Sequence, residues 1–209
     1  MPMSAICAVG GRAPIAPHHG HVNFNFDQTA HGAFLLLGAG GGGGAPPGCC
    51  LALTMAWLQN WRNPGQQGYT FWVGPGGGGN GGVLANTVGV FAGGAGAWAP
   101  TTTALMGGMG FVALPGGLQN GPPWAGIMQT LPPSLAAARF IILIYTYLGV
   151  SHAVGIFRTG VTICFFDPNE GEAYFPTTAD FAAWFFDYMR TTPGTGLATA
   201  RNFFRLLYN

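Results

Sequence analysis

The chain has 209 residues, of which 6% are charged and 37 are glycine, and its formal net charge is +1. This length supports one sizeable hydrophobic core, whereas two full domains would be crowded. All seven basic residues are arginine, which excludes a phosphate-binding P-loop and lysine Schiff-base or pyridoxal chemistry. The arginines are scattered and form no basic patch, so nucleic acid is not an expected partner.

Residues 1–33, which contain Pro, His and Asn, are predicted to form an N-terminal arm. Its cluster of His18, His19 and His21 lacks a second group of ligands, so we interpret it as incidental rather than as a metal site. No metal or cofactor is expected. The first residues lack a basic segment followed by an apolar run, and neither a cleavable secretory signal nor a transmembrane helix is predicted.

A buried helix is predicted over Cys49 to Trp61, because this run follows Pro46-Pro47-Gly48, lacks Gly and Pro and is apolar nearly all round. Cys50 lies in its first turn, where free backbone N–H groups and the helix dipole favour a thiolate. A lone cysteine is usually a small buried hydrophobe, but this position favours a nucleophile. The adjacent Cys49 and the remaining cysteines are expected to be free thiols.

The middle of the chain, residues 64–134, is interrupted by Gly and Pro and gives weaker signals. Short strands are predicted at Tyr69–Val73, Val83–Phe91 and Met106–Leu114. A helical turn at Ser134–Ala138 is followed by a predicted strand at Phe140–Leu148, which is strongly apolar but too short to span a membrane.

A hairpin is predicted around Thr159-Gly160, a two-residue turn with glycine supplying the left-handed position. Counting outward from this turn puts His152 directly opposite Asp167, with Cβ atoms about 5 Å apart. A carboxylate at that separation can hold an imidazole in one tautomer and stabilise its cation. The sequence thus provides a thiol, an imidazole and a carboxylate.

The C-terminal third contains further predicted elements. Tyr174-Phe175 is read as an edge strand, Thr178 to Met189 as a capped helix, and Asn202–Tyr208 as a short amphipathic tail. The helix carries an aromatic stripe at helical spacing, which we interpret as core rather than as part of a site. Cys164 is expected on the hairpin face opposite His152, in the core.

Two motifs resemble known cysteine proteases. The segment Gly48-Cys49-Cys50-Leu51-Ala52 resembles the papain-type Ser-Cys-Trp-Ala motif, and alignment at the alanine selects Cys50 over Cys49. The segment Phe165-Phe166-Asp167-Pro168-Asn169-Glu170-Gly171-Glu172 resembles the YopT-type cysteine proteases, which are bacterial effectors delivered into other cells.

The resemblance implies an α+β, papain-like cysteine protease fold over residues 34–209, with a buried nucleophile helix packed on an antiparallel sheet. It assigns Cys50 as nucleophile, His152 as general base and Asp167 as orienting acid. Papain-like enzymes place a Gln or Asn shortly before the cysteine to help bind the oxyanion. That stretch is glycine here. The backbone N–H of Cys50 can be one donor to the oxyanion, and Gln28 is the candidate for the second donor.

The implied function is a thiol protease that acts as a virulence effector or toxin on a protein substrate in a host or target cell. Such a protein would be made in the bacterial cytoplasm and delivered by a dedicated secretion system. A chaperone or immunity protein is a further candidate partner. The same triad can run glutamine deamidation or acyl transfer. A murein peptidase, which usually has a shorter Cys-to-His interval, and a non-enzymatic glycine-rich interaction protein are the remaining alternatives.

Overall fold

The computed structural model describes residues 15–25, 49–63, 98–114, 119–121, 123–147, 150–191 and 202–209. Within these ranges the chain forms a seven-stranded antiparallel sheet with α-helices packed on both faces. A 3-10 turn spans Ala16–His18, and the α-helices are α1 (Cys49–Arg62), α2 (Trp98–Gly108), α3 (Pro123–Ala137) and α4 (Thr178–Thr191). The strands are β1 (His21–Asn25), β2 (Gln119–Gly121), β3 (Phe140–Tyr147), β4 (Val150–Thr159), β5 (Thr162–Asp167), β6 (Gly171–Phe175) and β7 (Asn202–Tyr208).

The strands lie in the order β1-β6-β5-β4-β3-β7-β2, and every neighbouring pair is antiparallel. Three consecutive strands, β4 to β6, therefore form a meander beside the long strand β3. The meander carries the predicted imidazole and carboxylate, and β1 pairs with its outer strand. The N-terminal strand is thus part of the same sheet as the site.

Alternating side chains of the central strands supply two separate cores. The α3–α4 core lies between the sheet and those two helices, and its strand residues include Ile141, Leu143, Val154, Ile163 and Phe165. The α1 core lies on the other face, and its strand residues include Ile142, Ala153, Phe157, Cys164 and Phe166. Because both faces are covered, the central strands are apolar on both sides and read as continuous hydrophobic runs.

The register of the β4–β5 hairpin differs from the prediction. Thr159 pairs with Thr162, so the turn is Gly160-Val161, and Gly160 supplies a φ of 62° at its first position. The predicted direct opposition of His152 and Asp167 is therefore wrong. The shift moves each partner by two positions, and a shift of two keeps both side chains on one face, where they meet diagonally.

One other predicted element is wrong in kind, and a second is longer than predicted. Met106–Leu114 does not form a strand, because α2 runs to Gly108 and only Ala113 makes an isolated bridge. The turn at Ser134–Ala138 is the end of the longer helix α3, which contains Pro132 and Pro133. Both prolines are exposed and therefore do not disturb the packed side of the helix.

Two C-terminal segments lie inside the sheet rather than at its edge. Tyr174 and Phe175 belong to β6, which pairs with β5 on one side and β1 on the other. The predicted tail Asn202–Tyr208 is β7, which lies between β3 and β2. The remaining predictions agree closely with the structure, namely a helix from Cys49, a strand from Phe140 and a helix from Thr178.

Some predicted features lie outside the described residues, namely Gln28, the boundary at residue 33 and the strands at Tyr69–Val73 and Val83–Phe91. Across the ranges that the structure does describe, no helix combines the length and hydrophobicity needed to cross a membrane. The same ranges contain no group of three His, Cys, Asp or Glu side chains arranged to hold a metal ion.

Candidate active site

His152 and Asp167 lie at the open end of the β4–β5 hairpin. Nε2 of His152 is 2.8 Å from Oδ1 of Asp167. The side chain of Asp167 is 3% exposed and that of His152 is 14% exposed, so the imidazole is the part of the pair that solvent can reach. The β4–β5 ladder ends at Gly155 and Phe166. The imidazole therefore lies beyond the last paired residue of β5.

The turn after β5 holds the Asp167 carboxylate in place. The backbone N–H of Asn169 donates to Oδ1 at 2.7 Å, and the N–H of Glu170 donates to the Asp167 carbonyl at 2.9 Å. Asp167-Pro168-Asn169-Glu170 suits this β-turn, since Asp is favoured at its first position and Pro at its second. Gly171 then adopts a φ of 108°, which a side chain would strain.

Tyr188 of α4 is a further partner of this carboxylate. Its hydroxyl donates to Oδ2 of Asp167, and the residue is fully buried among the aromatic side chains of the α3–α4 core. A buried tyrosine needs a partner for its hydroxyl, and here the partner is the carboxylate that faces His152. Asp167 thus accepts hydrogen bonds from a ring nitrogen, a backbone amide and a phenol.

The charges of the pair reinforce one another. Burial alone would disfavour the imidazolium, but the charge and hydrogen bond of Asp167, with a smaller contribution from Cys50, raise the pKa of His152 from 6.5 to about 10. Burial likewise disfavours the Asp167 carboxylate, yet His152, Tyr188 and the Asn169 amide together lower its pKa below 3.8. The site favours an imidazolium next to a carboxylate.

Cys50 reaches this pair from the other side of the sheet. It lies in the first turn of α1, it is 7% exposed, and its thiol hydrogen-bonds with the His152 side chain. Thr54, one turn further along α1, donates to the carbonyl of Ala153 at 3.3 Å. This bond fixes the first turns of the helix against the residue that follows His152.

The structure therefore brings together the three side chains predicted for the site, Cys50, His152 and Asp167. Gln28 is outside the described residues. Cys164 is buried on the α1 side of β5, opposite the face that carries the imidazole, and burial with the nearby Glu172 raises its pKa to about 12. It is an inert core thiol.

Two histidines of the arm, His18 and His19, contact α4 rather than the site. Nδ1 of His19 is 2.9 Å from Asp180, and Nε2 of His18 is 3.5 Å from Asp187. These contacts attach the first described segment to the outer surface of the helix. They provide no function in the site.

Two polar residues near the site were missed in the sequence. Tyr188 belongs to the aromatic stripe that the sequence predicts as core, although a tyrosine among buried Phe and Trp residues signals a buried hydroxyl that needs an acceptor. Glu172 stands in the sequence only as the last residue of the segment that resembles the YopT-type proteases. It is 5% exposed and binds the α1 helix.

Comparison with known proteins gives a match to a family model and to solved structures. Residues 139–207 match the family model Peptidase_C58, described as Yersinia/Haemophilus virulence surface antigen. The chain is similar to the YopT-type cysteine proteases. The match covers the strands that carry His152 and Asp167, together with α4 and β7. It confirms the predicted resemblance and supports a cysteine-type peptidase. No curated protein sequence matches the chain.

Among solved structures, the fold is similar to the Pseudomonas avirulence protein AvrPphB, with a TM-score of 0.52, 18% identity and coverage of 76% of this chain and 90% of that one. The predicted papain-like cysteine protease fold is confirmed. The cysteine protease-like domain of the Photorhabdus asymbiotica toxin PaTox matches with a TM-score of 0.38, 14% identity and coverage of 88% and 54%. The YopT domain of the Pasteurella multocida PfhB2 toxin matches with a TM-score of 0.33, 16% identity and coverage of 85% and 89%.

Proposed function

We propose that this protein is a cysteine protease that cleaves a protein substrate through a Cys50–His152–Asp167 triad. The observation that carries the proposal is that one imidazole hydrogen-bonds with both the Asp167 carboxylate and the Cys50 thiol. A nucleophile, a base and a group that orients the base are the parts that acyl-transfer chemistry needs. The thiol at the start of a helix adds favourable backbone dipoles.

In the proposed reaction, Nε2 of His152 stays bound to Asp167, which leaves Nδ1 as the ring nitrogen that faces Cys50. His152 takes the thiol proton, and Sγ attacks the carbonyl carbon of the scissile amide. The developing oxyanion is stabilised by the backbone N–H of Cys50, in the first helical turn, and by Gln28 as second donor. His152 then protonates the departing amine, and water hydrolyses the thioester.

The proposed substrate is a protein of a host or target cell, and the proposed setting is that of a virulence effector or toxin. Support comes from the family match, whose description names a virulence surface antigen, and from the fold shared with an avirulence protein. The protein would be made in the bacterial cytoplasm and delivered by a dedicated secretion system. A chaperone or immunity protein would keep it inactive before delivery.

The proposal is tested by labelling the full chain with an epoxide-type cysteine-protease inhibitor, followed by peptide mapping. We expect selective modification of Cys50 and a loss of about 10²–10⁴-fold in labelling rate in His152→Ala, because general-base catalysis contributes that much. Cys164 is an internal control, since burial and its raised pKa keep it unlabelled in the folded protein. Cys49→Ser, a change at the neighbouring thiol, should be labelled like the wild type.

The outcomes separate the alternatives. Equal labelling of wild type and His152→Ala, or labelling of Cys49 instead of Cys50, would overturn the triad. If Cys50 is selectively activated, mass spectrometry of candidate substrates distinguishes the reactions. Proteolysis produces fragments, deamidation adds about one dalton through replacement of an amide nitrogen by oxygen, and acyl transfer attaches a new group.

A further inference from the structure

A second buried carboxylate, Glu172, holds the helix that carries Cys50. Glu172 lies on β6 opposite Phe166, on the sheet face that packs against α1. Nε1 of Trp57 donates to its Oε2 atom, and Nε1 of Trp61 donates to the same atom at 3.1 Å. The amide of Asn23 on β1 donates to Oε1. One side chain therefore links α1, β6 and β1.

The position of Trp57 is fixed from two further directions. Its indole stacks on Phe166 with ring centroids 5.3 Å apart and planes 18° apart. It also lies directly over Gly155 of β4, where an added Cβ would be 2.8 Å from Cε3 and Cζ3 of the indole. The indole of Trp57 is therefore in contact with the Glu172 carboxylate, the Phe166 ring and the backbone of Gly155. The helix cannot slide along the sheet without breaking all three contacts.

Packing does not account for a carboxylate at this position. Transfer of a charged group out of water is costly, and a buried ionic group often stabilises a fold less than an apolar residue of the same volume. Burial raises the pKa of Glu172 despite its three N–H donors. What the carboxylate offers, and an apolar side chain lacks, is an acceptor that fixes the direction of two indole N–H groups.

The same turn controls both halves of the proposed site. Asp167 and Glu172 flank the turn of residues 168–170, and they point to opposite faces of the sheet. Asp167 fixes the position of the His152 imidazole, whereas Glu172 fixes the position of α1, whose first turn carries the Cys50 thiol. The turn between them, closed by the bond from the Glu170 N–H to the Asp167 carbonyl, joins these two contacts over a short stretch of chain.

We propose that Glu172 is a positioning residue, which holds α1 through Trp57 and Trp61 so that Cys50 stays aligned with His152. This inference rests on the proposed function. Glu172 acts through the helix and does not touch the reacting atoms.

The test measures kinact and KI for epoxide labelling of Cys50 in Glu172→Ala and Glu172→Gln, together with the thermal midpoint of each full-length variant. We expect kinact to fall by about ten- to a hundredfold in Glu172→Ala with KI unchanged, because a displacement of about 1 Å can cost that much in rate. Glu172→Gln should stay within about threefold of wild type, since its carbonyl oxygen can still accept from both indoles.

Phe175→Leu is the matched control for lost stability. Phe175 is fully buried on the same strand but faces the α3–α4 core. It should lower the thermal midpoint while leaving kinact at the wild-type value. An unchanged kinact in Glu172→Ala, an equal loss in Phe175→Leu, or Glu172→Gln as slow as Glu172→Ala would each overturn the positioning role.

Failure of this inference is distinguishable from failure of the proposed function. If His152→Ala labels Cys50 as fast as wild type, the triad is wrong whatever Glu172 does. If His152→Ala abolishes labelling and Glu172→Ala does not, the triad stands and only the positioning role of Glu172 is lost.

Discussion

At the residue scale, the proposed site depends on how well a buried carboxylate is kept ionised. Asp167 accepts three hydrogen bonds, one each from His152, Asn169 and Tyr188. Hydrogen bonds to the charged form favour that form, so each donor contributes to the lowered pKa of Asp167. The phenol is the donor that can be removed with the least change in shape.

Tyr188→Phe should therefore raise the pKa of Asp167 and shift acid unfolding to higher pH. The lowered pKa means that the Asp167 carboxylate stabilises the fold above pH 3.8 and that this stability is lost as pH falls through the folded-state pKa. We expect a loss of about 1–3 kcal/mol near pH 7, the usual effect of removing one partner of a buried charged group. Urea unfolding from pH 7 down to about pH 2 measures both effects.

Tyr174→Phe is the matched control for this change. Its hydroxyl is 3.5 Å from Oγ1 of Thr162, outside the site, and its side chain is half-buried. It should leave the pH dependence unchanged. If the loss of unfolding free energy at low pH shifts equally in both variants, Tyr188 does not lower the pKa of Asp167.

His152 gives a pH dependence of the opposite sign. Its pKa is raised from 6.5 to about 10, so the folded protein binds the proton more tightly than the unfolded chain. The contribution of the His152–Asp167 ion pair to the unfolding free energy is fully present below about pH 6.5, and it is lost as pH rises through about 10. The difference in unfolding free energy between wild type and His152→Gln should therefore shrink from pH 6 to pH 10. A difference that is flat over this range would contradict the ion pair.

At the element scale, the contact between α1 and β4 depends on a missing side chain. Gly155 lies below Trp57, and its added Cβ would also be 3.0 Å from Cγ2 of Thr54. The indole ring is rigid and fully buried, so it cannot give way. Gly155→Ala should displace α1 from the sheet.

We expect Gly155→Ala to cost about 1–3 kcal/mol in unfolding free energy, as overpacking usually does, and to slow epoxide labelling of Cys50. Gly107→Ala is the matched control, because Gly107 lies in α2 with nothing within 4 Å of its added Cβ. That change should be neutral or stabilising by up to about 1 kcal/mol, since alanine is the better helix former. Equal effects of the two substitutions would contradict the proposed contact.

Elements with strong local signals could be predicted from the sequence, and those that depend on distant contacts could not. Pro46-Pro47-Gly48, a segment that no helix continues through, correctly predicts that α1 begins at Cys49. The face shared by His152 and Asp167 also follows from the sequence, because strand alternation survives an error of two positions in register. The exact residue pairs of the β4–β5 hairpin do not follow from the sequence. Gly160 can occupy either position of a two-residue turn, and only packing against α1 and α4 selects one of them.

Apolar runs and prolines caused the other errors. In the last part of Asn202–Tyr208, Leu206 and Tyr208 belong to the α1 core and Leu207 belongs to the α3–α4 core, and an apolar run of this kind has no period that distinguishes a strand from a tail. Pro132 and Pro133 break the helical pattern in the sequence, yet α3 continues through them. The link between Tyr188 and Asp167 is not local at all, because it joins α4 to β5 across the core.

At the scale of the whole molecule, the last described strand completes a sheet begun much earlier in the chain. β7 lies between β3 and β2. Its consecutive residues Leu206 and Leu207 belong to the α1 core and the α3–α4 core, respectively. The strand order thus makes the fold depend on its C-terminal residues. A tail would be dispensable, whereas an internal strand is not.

A chain that ends before Asn202 should therefore fail to fold cooperatively. It loses the buried side chains of Leu206, Leu207 and Tyr208, each worth about 1.5–3 kcal/mol, and together they are comparable with the whole stability of a typical domain, about 5–15 kcal/mol. It also exposes the hydrogen-bonding edge of β3, which β7 covers along most of its length. Near-ultraviolet circular dichroism during heating should show no cooperative transition.

Removal of Asn209 alone is the control for this truncation. Asn209 is exposed, and its backbone pairs with Val112 through bonds of 2.9 and 3.0 Å, while its side chain accepts from the N–H of Arg139 at 3.1 Å. Its loss should lower the thermal midpoint by a few degrees, because about 1 kcal/mol shifts a domain of this size by about 2–4 °C. A shortened chain without β7 that melts as cooperatively as this control would show that the meander β4–β6, which carries His152 and Asp167, is stable without β7.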